Sequence, residues 1–258
     1  MVKAKKHLGQ HFLTDLEIAQ RIVDSLSLDQ DKVMEIGPGT GVLTQYLVQR
    51  PNVDLNLIEL DKESVEYLTA HYPELSGRIF FKDFLKLDLK EIFETPFALI
   101  GNFPYNISGP IFFKVFEYRN QIPEVVGMLQ KEVAERLAAG PGTKVYGVLS
   151  VLLQAFYKID YLFTVGAHVF NPPPKVQSGV IRLTRNNVKE LPCDEKLFVK
   201  VVKAIFNQRR KAIRNSLKAI PFNKEAIADH DYLTRRPEQM SVNDFIELTC
   251  MIEKNPLK

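Results

Sequence analysis

Lys32-Val33-Met34-Glu35-Ile36-Gly37-Pro38-Gly39-Thr40-Gly41 decides the fold. An apolar run bounded by glycines reads as a buried strand, and Val42, Leu43, Tyr46 and Leu47 beyond it recur at helical spacing. Strand, glycine turn and helix in that order place backbone N–H groups where a ligand can approach closely. Working outward, a second strand over 55–58 ends in Glu59, 22 positions beyond Gly37 and suited to accept hydrogen bonds from both hydroxyls of a ribose. A third strand over 78–82 leads to Asp83, a fourth ends at Asn102, and a fifth over 125–129 precedes a helix over 131–139. Such alternation predicts an α/β fold with a mostly parallel, doubly wound, Rossmann-like sheet. Upstream, Thr14 and Glu17 fit a capping box for a helix that buries Ile18, Ile22, Val23 and Leu26.

The alternation then stops. Residues 145–156 read as a buried helix, and 157–165 and 176–184 as two strands too close in sequence for a helical crossover, hence an antiparallel edge. Residues 185–192 have linker composition, and only helical patterns follow, carried by Phe198, Val201, Val202 and Ile205 and later by Phe245, Leu248 and Ile252. Two domains are expected: 1–184, opening with a basic arm over 1–13, and a small all-helical domain over 185–258. Charge divides the same way. The first piece holds 19 Lys and Arg against 21 Asp and Glu, the second 15 against 10, so the helical piece is the one suited to a polyanion.

Two cysteines and five scattered histidines exclude a disulfide framework and a metal cluster and favour a reducing, cytoplasmic setting. No apolar run nears the roughly 18 residues that cross a bilayer, so membrane readings are set aside and a monomer is expected.

The glycine turn and Glu59 suit a nicotinamide dinucleotide nearly as well as S-adenosylmethionine, although the third glycine comes one residue earlier than in the dehydrogenase pattern. Asp83 can accept from an adenine amino group, or serve as a helix cap. Asn102-Phe103-Pro104-Tyr105 is more specific: the proline holds the turn extended, so the Asn102 side-chain oxygen and the Phe103 carbonyl can both accept from one planar amine, while Tyr105 stacks on the ring that carries it.

Taken together these strand tips resemble the S-adenosylmethionine-dependent methyltransferases that modify exocyclic amines. Four further stretches resemble the ribosomal RNA small-subunit adenine dimethyltransferase family: Leu8-Gly9-Gln10-His11-Phe12-Leu13, Leu129-Gln130-Lys131-Glu132-Val133, Phe170-Asn171-Pro172-Pro173-Pro174-Lys175-Val176 and Phe206-Asn207-Gln208-Arg209-Arg210-Lys211. The resemblance covers nearly the whole chain. It implies a cofactor site at His11, Leu13, Gly37, Glu59, Asp83 and Asn102, to which the reading of the glycine turn adds Gly39. It also implies dimethylation of two adjacent adenines near the 3' end of small-subunit rRNA, within the ribosomal small subunit or its precursor. The family usually has Asn at His11 and Leu at Phe103, which favours a backbone over an imidazole contact at the first and leaves the carbonyl role of the second intact.

An adenine N6 lone pair is delocalised into its ring, so fixed acceptors at Asn102 and Phe103 would favour a tetrahedral nitrogen; Tyr105 and Phe170 would sandwich a base taken out of its stack. Arg209, Arg210, Lys211 and Arg214, on an acid-free helix over 206–218 anchored by Phe206, Ile213 and Leu217, would bind phosphates. Large-subunit rRNA adenine methyltransferases and glutamine methyltransferases acting on protein are the rival readings.

Overall fold

The computed structural model describes residues 2–27 and 31–257; Met1 of the arm and Lys258 lie outside the described residues. In chain order the elements are β1 (Phe12–Leu13), α1 (Leu16–Asp24), β2 (Lys32–Ile36), α2 (Thr44–Leu47), β3 (Asp54–Glu59), α3 (Lys62–His71), β4 (Ile79–Phe81), β5 (Ala98–Asn102), α4 (Ser108–Glu117), β6 (Glu124–Gln130), α5 (Lys131–Ala138), α6 (Val148–Gln154), β7 (Tyr157–Val165), β8 (Phe170–Asn171), β9 (Ser178–Arg185), α7 (Glu195–Phe206), α8 (Ile213–Ser216) and α9 (Val242–Lys254). The chain forms two units, Met1–Glu135 with Lys158–Arg185, and Arg136–Tyr157 with Asn186–Lys258. The second therefore starts earlier than the boundary read at 184, because α6 packs on α7 and α9.

In the first unit a seven-stranded sheet runs β4-β3-β2-β5-β6-β9-β7. β2 pairs in parallel with both β3 and β5, so the strand order reverses between β2 and β5 and opens a crevice at their carboxyl ends. β9 runs antiparallel to β6, with Glu124 opposite Thr184 and Gln130 opposite Ser178, and β7, joined to β9 by the short 166–175 connection, lies beyond it at the edge of the sheet. Central strands are buried on both faces, which is why Val33, Leu57, Leu99 and Val126 read as continuous apolar runs.

Two local expectations change. Asp15, not Thr14, caps α1 through a bond from Ile18 N, because the Thr14 hydroxyl donates to the Val169 carbonyl at 2.9 Å instead. The segment between β7 and β9 also holds β8, which pairs antiparallel with β1 and ties the arm to the sheet unit.

In the second unit Phe198, Val201, Val202 and Ile205 of α7 meet Phe245, Leu248 and Ile252 of α9, and the rings of Phe206 and Phe245 stack at 5.6 Å. The continuous basic helix expected over 206–218 is absent. α7 ends at Phe206, residues 207–212 turn, and α8 starts at Ile213 because Ile213 N donates to the Arg235 carbonyl, not to a preceding turn of helix. The anchor positions Ile213 and Leu217 are nonetheless buried. Among the described residues no helix is long and apolar enough to cross a membrane.

Candidate active site

The glycine turn closes over the end of β3. Gly39 has φ +58, and a Cβ there would lie 2.8 Å from the Phe12 ring, so both its handedness and its neighbour demand glycine. Its N–H donates to Glu59 Oε2 at 3.0 Å, while Leu60 N and Asp61 N donate to Oε1 at 2.8 and 2.9 Å. Glu59 is 5% exposed. Burial pushes its pKa up, and the three backbone donors work against that shift. The carboxylate thus fastens the glycine turn to β3 and keeps acceptor capacity chiefly on Oε2, where the sequence suggested it was free to hold both ribose hydroxyls. Beneath the turn, burial pushes the Glu35 carboxyl up to about 8, a shift the Thr44 hydroxyl reduces by donating to Oε2 at 2.7 Å.

Asp83 caps its own loop, Oδ1 accepting from Leu85 N at 3.0 Å, and also lines the pocket. Its loop is held from behind by Lys114 of α4, whose ammonium donates to the Leu85 carbonyl at 3.2 Å and to the Leu87 carbonyl and sits over the rings of Phe84 and Tyr118. Nothing in the sequence pattern singled out Lys114, a lysine in an apolar helix.

At the end of β5, Asn102 Nδ2 donates to the His11 main-chain carbonyl at 2.9 Å. That bond uses one of the two amide hydrogens and sets the orientation of the amide, leaving Oδ1 to accept. Phe103 N donates to the Met128 carbonyl at 2.8 Å, and the Phe103 ring is fully buried. The Tyr105 hydroxyl shares a 2.6 Å hydrogen bond with Ser178 Oγ, and burial pushes its pKa up.

The arm forms another wall. Residues His7 to Phe12 line the pocket, and Lys5 pairs with the buried Asp61 and, at 3.2 Å, with Glu63, while Gln10 Nε2 donates to Asp61 Oδ2 at 3.2 Å. A basic amino terminus is more often a solvated tail; here the acid that docks it sits two residues past Glu59, a pairing across 56 positions that no local pattern announces.

The pocket so formed spans about 860 Å³ including its open side, and brings together His11, Gly37, Gly39, Glu59, Asp83, Asn102, Phe103 and Tyr105. It does not include Leu13 or Phe170, each 4% exposed and each part of the apolar core where β1 pairs with β8. The ring beside Tyr105 is that of His11, at 5.4 Å between centroids and 31° between planes. In the helical unit Arg210, Lys211, Arg214 and Lys218 are exposed and carry no ion pair among the described residues, while Arg209 donates to the Thr143 carbonyl at 3.3 Å. Among the described residues no group of three His, Cys, Asp or Glu could hold a metal ion.

A nucleoside-sized pocket at the switch point of a sheet with this strand order, closed by an antiparallel strand, defines an S-adenosylmethionine-dependent methyltransferase. Residues 1–251 match the family model described as ribosomal RNA adenine dimethylase, and the chain belongs to that family. A Parabacteroides distasonis protein described as ribosomal RNA small subunit methyltransferase A is 58% identical over 258 residues, 99% of this chain and 96% of its own. Among solved structures, a dimethyladenosine transferase from Plasmodium falciparum superimposes with a TM-score of 0.79 at 24% identity, over 96% of this chain and all of that one. The 23S rRNA methyltransferase ErmE gives 0.67 at 25% identity, over 93% of this chain and 99% of that one.

Proposed function

We propose that the protein dimethylates the N6 atoms of two adjacent adenines in small-subunit rRNA, as a step of ribosome assembly in the cytoplasm. One observation carries the reading: Asn102 is turned by the His11 carbonyl so that its side-chain oxygen is the atom left to accept at the mouth of the crevice. S-adenosylmethionine fits the groups present: Glu59 Oε2 offers an acceptor for ribose, Asp83 one for an adenine amine, and Ile36, Ile58, Leu60 and Phe84 supply apolar walls for a ring. When bound it supplies an electrophilic methyl group already activated by positive charge.

The protein's own work falls on the amine. Asn102 Oδ1 and the Phe103 carbonyl accept the two N6 hydrogens and so favour the pyramidal nitrogen whose lone pair can react. Tyr105 offers its face to the unstacked base, compensating part of an unstacking cost of a few kcal/mol. Arg210, Lys211 and Arg214 of the helical unit bind phosphates and hold the RNA, with Arg209 partly committed to Thr143.

The test is incubation with labelled S-adenosylmethionine and, separately, unmodified small subunits, large-subunit RNA, DNA and protein, followed by nucleoside analysis. Dimethyladenosine from small subunits alone is the expected result. Label in large-subunit RNA or in glutamine would replace it with one of the rival readings.

A further inference from the structure

We propose that Lys114 is a positioning residue for cofactor recognition: it holds the loop of Asp83 in the arrangement in which that carboxylate accepts from the cofactor's adenine amine. The proposal rests on the reading of Asp83 as that acceptor.

Lys114 stands in an apolar stretch of α4, Ile111-Phe112-Phe113-Lys114-Val115-Phe116, and is 8% exposed. Burial lowers its pKa, a shift opposed at longer range by the charges of Glu117, Asp88 and Asp83. Among the described residues no carboxylate forms an ion pair with it, and its hydrogen bonds go to main-chain oxygens, the Leu85 carbonyl at 3.2 Å and the Leu87 carbonyl. Withdrawing an ammonium from water without a paired anion is costly, and a leucine would fill the space without that cost. The contribution of the charge therefore lies in what it holds.

Asp83 and Lys114 grip one short turn, Phe84–Lys86, from opposite ends. At its start Asp83 Oδ1 accepts from Leu85 N at 3.0 Å, and the Asp83 carbonyl accepts from Lys86 N at 3.1 Å. At its end the Lys114 ammonium takes the Leu85 and Leu87 carbonyls. With Oδ1 engaged, Oδ2 is the oxygen left for a ligand; the Lys86 ammonium comes no nearer to it than 3.9 Å, on a side chain that is 86% exposed. The same turn carries Phe84, which lines the pocket beside Asp83 and whose ring centroid lies 5.4 Å from the Lys114 ammonium. One cation thus steadies both an acceptor and an apolar wall of the pocket. Without it two carbonyls lose their donor and the turn is free to rotate, which swings Oδ2 out of line with an amine that the rest of the pocket holds in place.

Calorimetry on the full-length protein tests this with two ligands, S-adenosylhomocysteine and its analogue bearing hydrogen in place of the 6-amino group, because only the first offers Asp83 a donor. The wild type is expected to prefer the amine by roughly 10- to 100-fold, the range for a hydrogen bond to a charged group. Asp83→Ala should abolish that preference. Lys114→Met, which keeps the apolar stem, should lose most of it, with the larger loss falling on S-adenosylhomocysteine. A general weakening of the fold would lower both affinities by one factor and leave their ratio alone. A Lys114→Met protein that keeps the wild-type ratio, whatever its absolute affinities, therefore overturns the proposal and leaves Asp83 as the acceptor. A wild type without preference, or a preference that survives Asp83→Ala, removes the reading of Asp83 and the proposal with it. If Lys114→Met does not fold, Lys114→Gln, shorter and uncharged, carries the same comparison with the same two outcomes.

Discussion

The pocket of the sheet unit and the basic surface of the helical unit are built on opposite plans. In the pocket the polar groups are buried or half-buried and already spoken for: Glu59 holds three backbone donors, Asp83 one, and Asn102 is turned by a carbonyl of the arm. On the helical unit Arg210, Lys211, Arg214 and Lys218 are exposed and carry no ion pair among the described residues. Prior commitment leaves each pocket group one direction in which to bind, which suits one small ligand and one reacting nitrogen. Uncommitted cations on flexible stems suit a phosphate chain, where affinity comes mostly from counterion release and little from geometry.

The contrast is most exposed at Asn102. Asn102→Ala removes a fixed acceptor at the reacting atom, so methyl transfer to small subunits should fall by about 10²–10³-fold, with a smaller loss of cofactor affinity. A variant that turned over normally would mean that the amide orients nothing. Next in size is Glu59→Ala, expected to weaken S-adenosylmethionine binding by roughly 1 to 3 kcal/mol, since it removes charged hydrogen bonds and releases the glycine turn; calorimetry with unchanged affinity would end the assignment. For the other plan, Arg210→Ala with Arg214→Ala should leave calorimetric S-adenosylmethionine binding at the wild-type value. It should flatten the slope of log affinity for small subunits against log salt by about 0.7 to 0.9 for each phosphate that is no longer neutralised. A wild-type slope would move the RNA surface elsewhere, to the exposed Lys3 and Lys6 in the first instance.

The last effect is on stability and leaves the chemistry of both surfaces aside. Glu35 has a folded value near 8 against a reference of 4.5, so the unfolded chain releases its proton first as pH rises. The stability this group contributes is complete below pH 4.5 and is lost as pH climbs toward 8. Glu35→Gln cannot ionise, so its melting temperature should decline less between about pH 5 and pH 8 than that of the wild type.

These two plans also differ in how far the sequence revealed them. Gly37, Gly39, Glu59, Asp83 and Asn102 stand at the tips of consecutive strands, and a strand tip can be read from a run of five or six residues; once the parallel order is granted, all five must meet at one crevice. What escaped notice depends on partners far away in the chain. Lys5 finds Asp61, Lys114 finds the Leu85 and Leu87 carbonyls, and Tyr105 finds Ser178, each across 27 or more positions. Phe170 looked like a stacking partner by resemblance, yet pairing of β8 with β1 turns it into the core, and the imidazole at position 11 occupies the place beside Tyr105. The basic segment failed for a similar reason. Its apolar spacing is helical and Ile213 and Leu217 are indeed buried, but one helix stops at Phe206 and a bond from Ile213 N to the Arg235 carbonyl marks the start of another.

Phe103 carries one more consequence. Its ring lies against two neighbouring strands at Gly101 and Gly127, where an added Cβ would come within 3.0 Å and 2.5 Å of its edge, and at Gly101 also within 2.5 Å of the Ile36 carbonyl. The aromatic and the glycine of β6 are therefore coupled: a side chain at position 127 requires the ring at 103 to shift or to be replaced by a smaller group, so transplanting Asn102, Pro104 and Tyr105 with this ring also calls for glycine at 127.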